Sequence, residues 1–173
     1  MSEVADRDQI DELIDEWAQQ RPDLADRLDA MGVFGRLGRL SHHAGRAIEA
    51  VFREFGLQTG EFDVLAALRR SGPPFTLTPT RLARRLMLSP AGVTDRLNRL
   101  EAAGLIQRDP DPDDRRGSLV SLTAAGRQRV DDAVEAHVAN EARLLSALSE
   151  RDRQVLNRLL RRLVSGFETA EPS

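Results

Sequence analysis

Cysteine is absent from the 173 residues, and its absence excludes disulfides, thiolate metal sites and thiol redox sensing together. Lysine is absent as well. All 25 basic side chains are arginine, whose fixed planar fork suits bidentate contacts with phosphates, carboxylates and base edges. No apolar run approaches the roughly 20 residues of a membrane span. The opening stretch MSEVADRDQIDELIDEW is acidic where a secretory signal is basic and greasy. A cytoplasmic protein with no membrane partner is therefore expected. A Gly-rich phosphate loop, a nucleophile paired with a base and a His-carboxylate ligand set are also missing, so no catalytic residues, no cofactor and no metal are expected. His42 and His43 are adjacent on a helical stretch and so face different directions, which argues against metal binding there.

What is present points to one core. Hydrophobic residues make up 40% of the chain, enough for a single domain of this length and too little for two comfortable ones. Charge is distributed unevenly: residues 1–35 carry a net −7, 36–77 a net +2, 78–127 a net +3 and 128–173 a net −1. An acidic protein with a basic middle third is suited to local contact with a polyanion.

The dominant pattern is helical. Ile10, Leu13, Ile14 and Trp17 recur at steps of three and four, which predicts a short amphipathic helix stopped by Arg21-Pro22. A longer helix follows over about 28–55, closed by Gly56. Thr59 is placed to cap the next helix, with Phe62, Val64, Leu65 and Leu68 as its apolar contacts, until Gly72-Pro73-Pro74 breaks the chain. After Thr123 comes a long helix bearing Val130, Val134, Val138, Leu145 and Leu148. Ser149 to Asp152 reads as a capping box for a last helix with a wide apolar face at Val155, Leu156, Leu159, Leu160, Leu163, Val164 and Phe167. The first and last helical segments carry more apolar surface than a small monomer covers easily, and a homodimer is the expected consequence.

The middle third holds the motif. Thr78-Pro79 is an N-cap followed by proline at the first helical position, and Ser89-Pro90 repeats that device after a turn at Met87-Leu88. Two short helices joined by a tight turn make a helix-turn-helix. With Val93 set to zero on a helical wheel, Thr94, Asn98, Ala91, Asp95 and Arg99 occupy the far face between about 100° and 240°, where they would meet a major groove. Ser89 and Pro90 open that helix toward the groove. Arg81 and Arg84, with Arg85, suit phosphate contact or a solvated face. Beyond Gly104, residues 105–108 and 118–122 predict a hairpin with a loop over 109–117. Arg115 and Arg116 at its tip can reach a minor groove or phosphates, and Asp113 and Asp114 can brace an arginine.

The run LTPTRLARRLMLSPAGVTDRLNRLEAAGLIQRDPDPDDRRGSLVSLTAAG resembles the winged helix-turn-helix of MarR family transcriptional regulators, with RLNRLEAAGLIQR, DDRRG and SLTAAG in register. The resemblance implies a mainly α fold, a winged helix-turn-helix with a helical dimerisation region and an extra N-terminal helix. It divides the chain as one continuous domain into N-terminal helices for dimerisation and a possible ligand site (1–57), a DNA-binding region (58–122) and C-terminal dimerisation helices (123–173). It also implies a dimer on a pseudo-palindromic double-stranded DNA operator, with Asp114 and Arg116 in the family's wing positions and Arg115 at a variable one. The N-terminal helix, RPDL and GEFDVLAALRRSG are similar to the urate-responsive, small-anion-responsive branch. That likeness carries the branch's ligand residues onto Trp17, Asp63, Arg96 and Arg108 and implies a repressor that releases its operator on binding urate or another small anionic effector.

Each ligand residue also has a plainer reading. Trp17 fits apolar packing, Asp63 the favourable end of a helix dipole, and Arg108 a phosphate or the wing's acids. Arg96 lies at about 300° on the wheel, nearer the core than the groove, and so is better aimed at a pocket than at bases. Asp95, where many relatives place Asn or Arg, repels phosphate but can accept from cytosine. A citrate- or aconitate-type carboxylate or an aromatic acid as effector, and a winged helix used only for protein contact, are the alternatives.

Overall fold

The computed structural model describes residues 7–170 apart from 113, 115 and 116. Two compact units divide the chain, Met1–Ala47 and Ile48–Ser173.

In the first unit, Asp8 caps α1 (Gln9–Gln20) by accepting from the N–H groups of Ile10 and Asp11, and the Asp11 carboxylate accepts in return from the Asp8 N–H. A short 3-10 segment follows (Pro22–Arg27), then α2 (Asp29–Glu54), whose residues from Ile48 onward belong to the second unit. α1 packs on the start of α2 through glycines: a Cβ on Gly35 would meet Ile10 at 3.1 Å, and one on Gly32 would meet Ile14 at 3.0 Å. Arg36 ties the same two helices from outside, donating to Asp8 at 3.0 Å and to Asp11 at 2.5 Å. Those contacts hold both carboxyls below the usual aspartate range. Ile10 and Leu28 are buried, while Leu13, Trp17, Met31, Val33, Phe34 and Leu40 remain exposed.

The second unit contains α3 (Thr59–Arg70), β1 (Thr76–Leu77), α4 (Pro79–Leu86), α5 (Pro90–Ala102), β2 (Ile106–Pro110), β3 (Ser118–Leu122), α6 (Ala124–Leu144) and α7 (Glu150–Ala170). Its three strands form an antiparallel sheet in the order β1-β3-β2, with Leu77 opposite Val120 and Arg108 opposite that same residue on the other side. The core gathers Phe52, Leu57, Phe62, Leu65 and Leu68 with Leu82, Val93, Leu97 and Leu100 and with Ile106, Val120 and Val130.

Four details differ from expectation. The cap of α3 is Gln58, not Thr59: the Glu61 carboxylate folds back to accept from the Gln58 N–H at 2.9 Å, which starts the helix one residue earlier. β2 runs on to Pro110 because Asp109 and Pro110 pair with Leu119 and Ser118, so the loop begins two residues beyond its expected start. β1 was not anticipated; two residues are too few to show alternation, and the strand exists through pairing with Ser121 and Val120. Leu145 ends α6 as its C-cap rather than continuing it.

Candidate nucleic-acid interface

Two capped helices build the surface. The Thr78 hydroxyl accepts from the Arg81 N–H at 3.3 Å to start α4, and the Ser89 hydroxyl accepts from the Gly92 N–H at 3.2 Å to start α5. Each cap is followed by a proline that needs no hydrogen-bond partner at that position. Between the helices Met87 takes a left-handed conformation at φ 51°, and the Leu88 N–H donates to the Ala83 carbonyl at 3.0 Å. That tight turn brings Leu82 of α4 and Val93, Leu97 and Leu100 of α5 into the same core.

Burial of those three residues leaves the opposite face of α5 in solvent. Ser89, Pro90, Ala91, Thr94, Asp95, Asn98 and Arg99 are exposed, as are Arg81, Arg84 and Arg85 on and near α4. The face is not uniformly free. Thr94 donates its hydroxyl to the Pro90 carbonyl at 2.9 Å, leaving its lone pairs and methyl outward. Arg99 donates from Nε to Glu61 Oε1 at 2.7 Å, so α5 is tied to the first turn of α3. Glu61 was not singled out from the sequence; its one local signal is the Q-x-x-E spacing from Gln58.

The hairpin loop closes on its own backbone. The Asp111 N–H donates to the Gly117 carbonyl at 3.2 Å, and the Gly117 N–H donates to the Asp114 carbonyl at 2.8 Å. Asp114 is exposed. Arg115 and Arg116, the expected wing contacts, lie outside the described residues, as does Asp113.

The candidate ligand residues are distributed over both units. Trp17, in the first, is 44% exposed and lines a shallow apolar depression with Leu13, Glu16 and Gln20. In the second, Asp63 is half-buried, and burial raises its carboxyl above the usual value against the opposing fields of Arg96, Arg70 and His137. The Arg96 guanidinium lies over Gly60, where a Cβ would meet its Cζ at 2.5 Å. Asp63 and Arg96 are thus in one electrostatic neighbourhood. Arg108 is committed elsewhere: it donates to Asn98 Oδ1 at 2.5 Å and pairs with Glu101 at 2.8 Å, while its Nε is buried with no hydrogen-bond partner among the described residues. His137, which also went unnoticed in the sequence, packs its ring against stacked Phe52 and Phe62 and approaches Glu141 at 3.3 Å.

Comparison with known proteins matches a model of the MarR family to residues 55–117. The HTH-type transcriptional regulator PecS of Dickeya dadantii is 38% identical over 155 residues, covering 90% of this chain and 92% of the relative. Among solved structures, that of Bordetella bronchiseptica BpsR, described as the mechanism for regulation of its DNA binding by 6-hydroxynicotinic acid, is similar with a TM-score of 0.66 at 26% identity over 76% of this chain and 92% of that one. A mutant MarR from E. coli complexed with operator DNA shares the fold with a TM-score of 0.68 at 24% identity, over 79% of this chain and 97% of that one.

Proposed function

Because the chain belongs to the MarR family of winged helix-turn-helix transcriptional regulators, and so to DNA-binding regulators and not enzymes, we propose that it is a homodimeric repressor that releases a pseudo-palindromic operator on binding a small anion. The observation that carries this reading is the division of α5, with Val93, Leu97 and Leu100 in the core and Ala91, Thr94, Asp95, Asn98 and Arg99 outside. A helix anchored along one side and polar along the other enters a major groove without exposing the core. Arg81 and Arg84 contact phosphates in this proposal, and Arg115 and Arg116 with Asp114 serve the wing. Dimerisation is supported by the unpartnered apolar side chains of α7, where Leu159, Val164 and Phe167 are each at least half exposed.

For the effector, the supporting observation is electrostatic. Arg96 lowers the cost of keeping a half-buried Asp63 ionised. An anion that captures Arg96 removes that support and draws on a residue of α5, displacing the helix from its DNA-bound position. A preference of about 1–3 kcal/mol for the released state changes DNA affinity some 5- to 150-fold. Trp17 and Arg108 keep their ligand assignments on resemblance alone. Urate is the first candidate, with a tricarboxylate or an aromatic acid such as the 6-hydroxynicotinic acid named for BpsR as the alternatives.

Gel shift of the full chain on duplex from its own upstream region tests both halves. The expected result is affinity that falls steeply with salt, with a slope lowered by about one in Arg84→Ala, and release by one of urate, citrate or 6-hydroxynicotinate that Arg96→Ala abolishes. Affinity indifferent to salt overturns the DNA reading. An Arg96→Ala protein with full anion response overturns the pocket.

A further inference from the structure

Asn98 sits in the middle of the exposed face of α5, and its carboxamide is not free to choose an orientation. The residue facing it is Arg108, whose backbone is fixed in the sheet opposite Val120 and whose guanidinium is anchored by Glu101 at 2.8 Å. Guanidinium carries five N–H donors and no acceptor. Whatever approaches Arg108 within hydrogen-bonding distance must therefore be an acceptor, so at 2.5 Å the Asn98 atom in contact is Oδ1. The amide NH2 is left at the other corner of the group.

Resting on the DNA-binding reading above, we propose that Arg108 orients the Asn98 carboxamide and thereby makes Asn98 a specificity-determining residue that presents its NH2 donors foremost to the major groove. An unrestrained asparagine recognises adenine with both its oxygen and its nitrogen, accepting from N6 and donating to N7. Arg108 occupies one of the two lone pairs of that oxygen and draws the oxygen toward itself, which weakens the bidentate adenine pairing. What is favoured is donation to base-edge acceptors: purine N7, guanine O6 or thymine O4. The cytosine amino group, a donor, is disfavoured by the same geometry. Asp95, one turn earlier on the exposed face, needs no such restraint, because an ionised carboxylate only accepts. Arg108 is a positioning residue in this scheme: it sets which atoms Asn98 shows and touches no base itself.

The test is selection from a random duplex library by the full chain, with the preference at each position read by sequencing, for wild type, Asn98→Ala, Arg108→Met, Arg108→Lys and the Asn98→Ala/Arg108→Met double variant. The wild type is expected to show one position per half-site whose preference is lost in Asn98→Ala. Replacing a purine there by its 7-deaza analogue, or a thymine by a base lacking O4, is expected to cost roughly 3- to 10-fold, the worth of one net hydrogen bond. Arg108→Met frees the carboxamide, so adenine gains at that position and at no other. Arg108→Lys, still a donor-only neighbour, retains the wild-type profile, which separates orientation from any loss of folding. In the double variant the Arg108 substitution has no further effect at that position. An Asn98→Ala profile identical to wild type overturns the proposal, and so does an Arg108→Met profile in which adenine does not gain. A wild-type protein that enriches no sequence at low salt overturns the DNA reading and this inference together.

Discussion

Replacing Gly126 by alanine drives a methyl group into backbone. The new Cβ would lie 1.8 Å from the Leu105 carbonyl oxygen, where ordinary van der Waals contact begins at 3.4 Å. The first turn of α6 must therefore retreat from the α5–β2 junction by about 1.6 Å, the difference between those two distances. That retreat pulls on Thr123, whose N–H donates to the Leu105 carbonyl at 3.2 Å and whose hydroxyl donates to the Gly104 carbonyl at 2.8 Å. Two lost hydrogen bonds cost about 1 kcal/mol each. Overpacking costs roughly 1–3 kcal/mol, and the better helix propensity of alanine returns about 1 kcal/mol. The net loss is about 2–4 kcal/mol, which lowers Tm by roughly 5–15 °C in a chain of this length. Urea and thermal unfolding followed by circular dichroism measure it, at one fixed protein concentration because dimer stability depends on concentration. Gly38→Ala in α2, where a Cβ meets nothing within 4 Å, controls for helix propensity and is expected to be neutral or to gain up to about 1 kcal/mol. A Gly126→Ala protein within about 0.5 kcal/mol of wild type, the range of an ordinary surface change, would refute the close approach.

Two further perturbations bear on the site. Asp63 has its folded pKa raised above the usual 3.8 by burial, so the native state binds its proton more readily than the unfolded chain and ionised Asp63 subtracts stability above the folded pKa. Asp63→Asn is accordingly expected to be at least as stable as wild type at pH 7, with that advantage shrinking as pH falls through the folded value toward 3.8; urea midpoints at several pH values check it, and a less stable variant at pH 7 contradicts the reasoning. For the pair across α3 and α5, the Glu61 side chain is 10% exposed and that of Arg99 48%, so the two truncations are unequal. Arg99→Met strands a buried carboxylate and is expected to cost about 1–3 kcal/mol, whereas Glu61→Gln leaves an arginine that water can solvate and should cost less. Equal losses in DNA-free unfolding would show that the burial difference does not govern the pair.

The helices were legible because their signals are local. Thr78-Pro79 and Ser89-Pro90 mark helix starts by satisfying or removing backbone donors within one turn, and a 100° step per residue was enough to put Val93, Leu97 and Leu100 on one side of α5 and Thr94, Asp95 and Asn98 on the other. The hairpin was legible from alternation in its second strand. What escaped was of another kind. Glu61 lies 38 residues from Arg99 and Arg108 lies 10 from Asn98, and neither pair shares a helical turn or a cross-strand register that spacing could reveal. The alternatives offered for Arg108, a phosphate or the wing's acids, missed its partners because the strand places it beside Asn98 and Glu101 of α5.

By itself the sequence determined the helices to within a few residues at their ends, which side of each is apolar and that a basic helix-turn-helix and hairpin occupy the middle of the chain, since capping, periodicity and turn chemistry act over a few residues. Tertiary structure alone decided which polar groups meet: Glu61 beneath Arg99, Asn98 against Arg108, Gly126 on the Leu105 carbonyl. Those contacts are set by how the packed core brings separate elements to within a few ångströms, and a donor or acceptor has no preferred partner until packing supplies one.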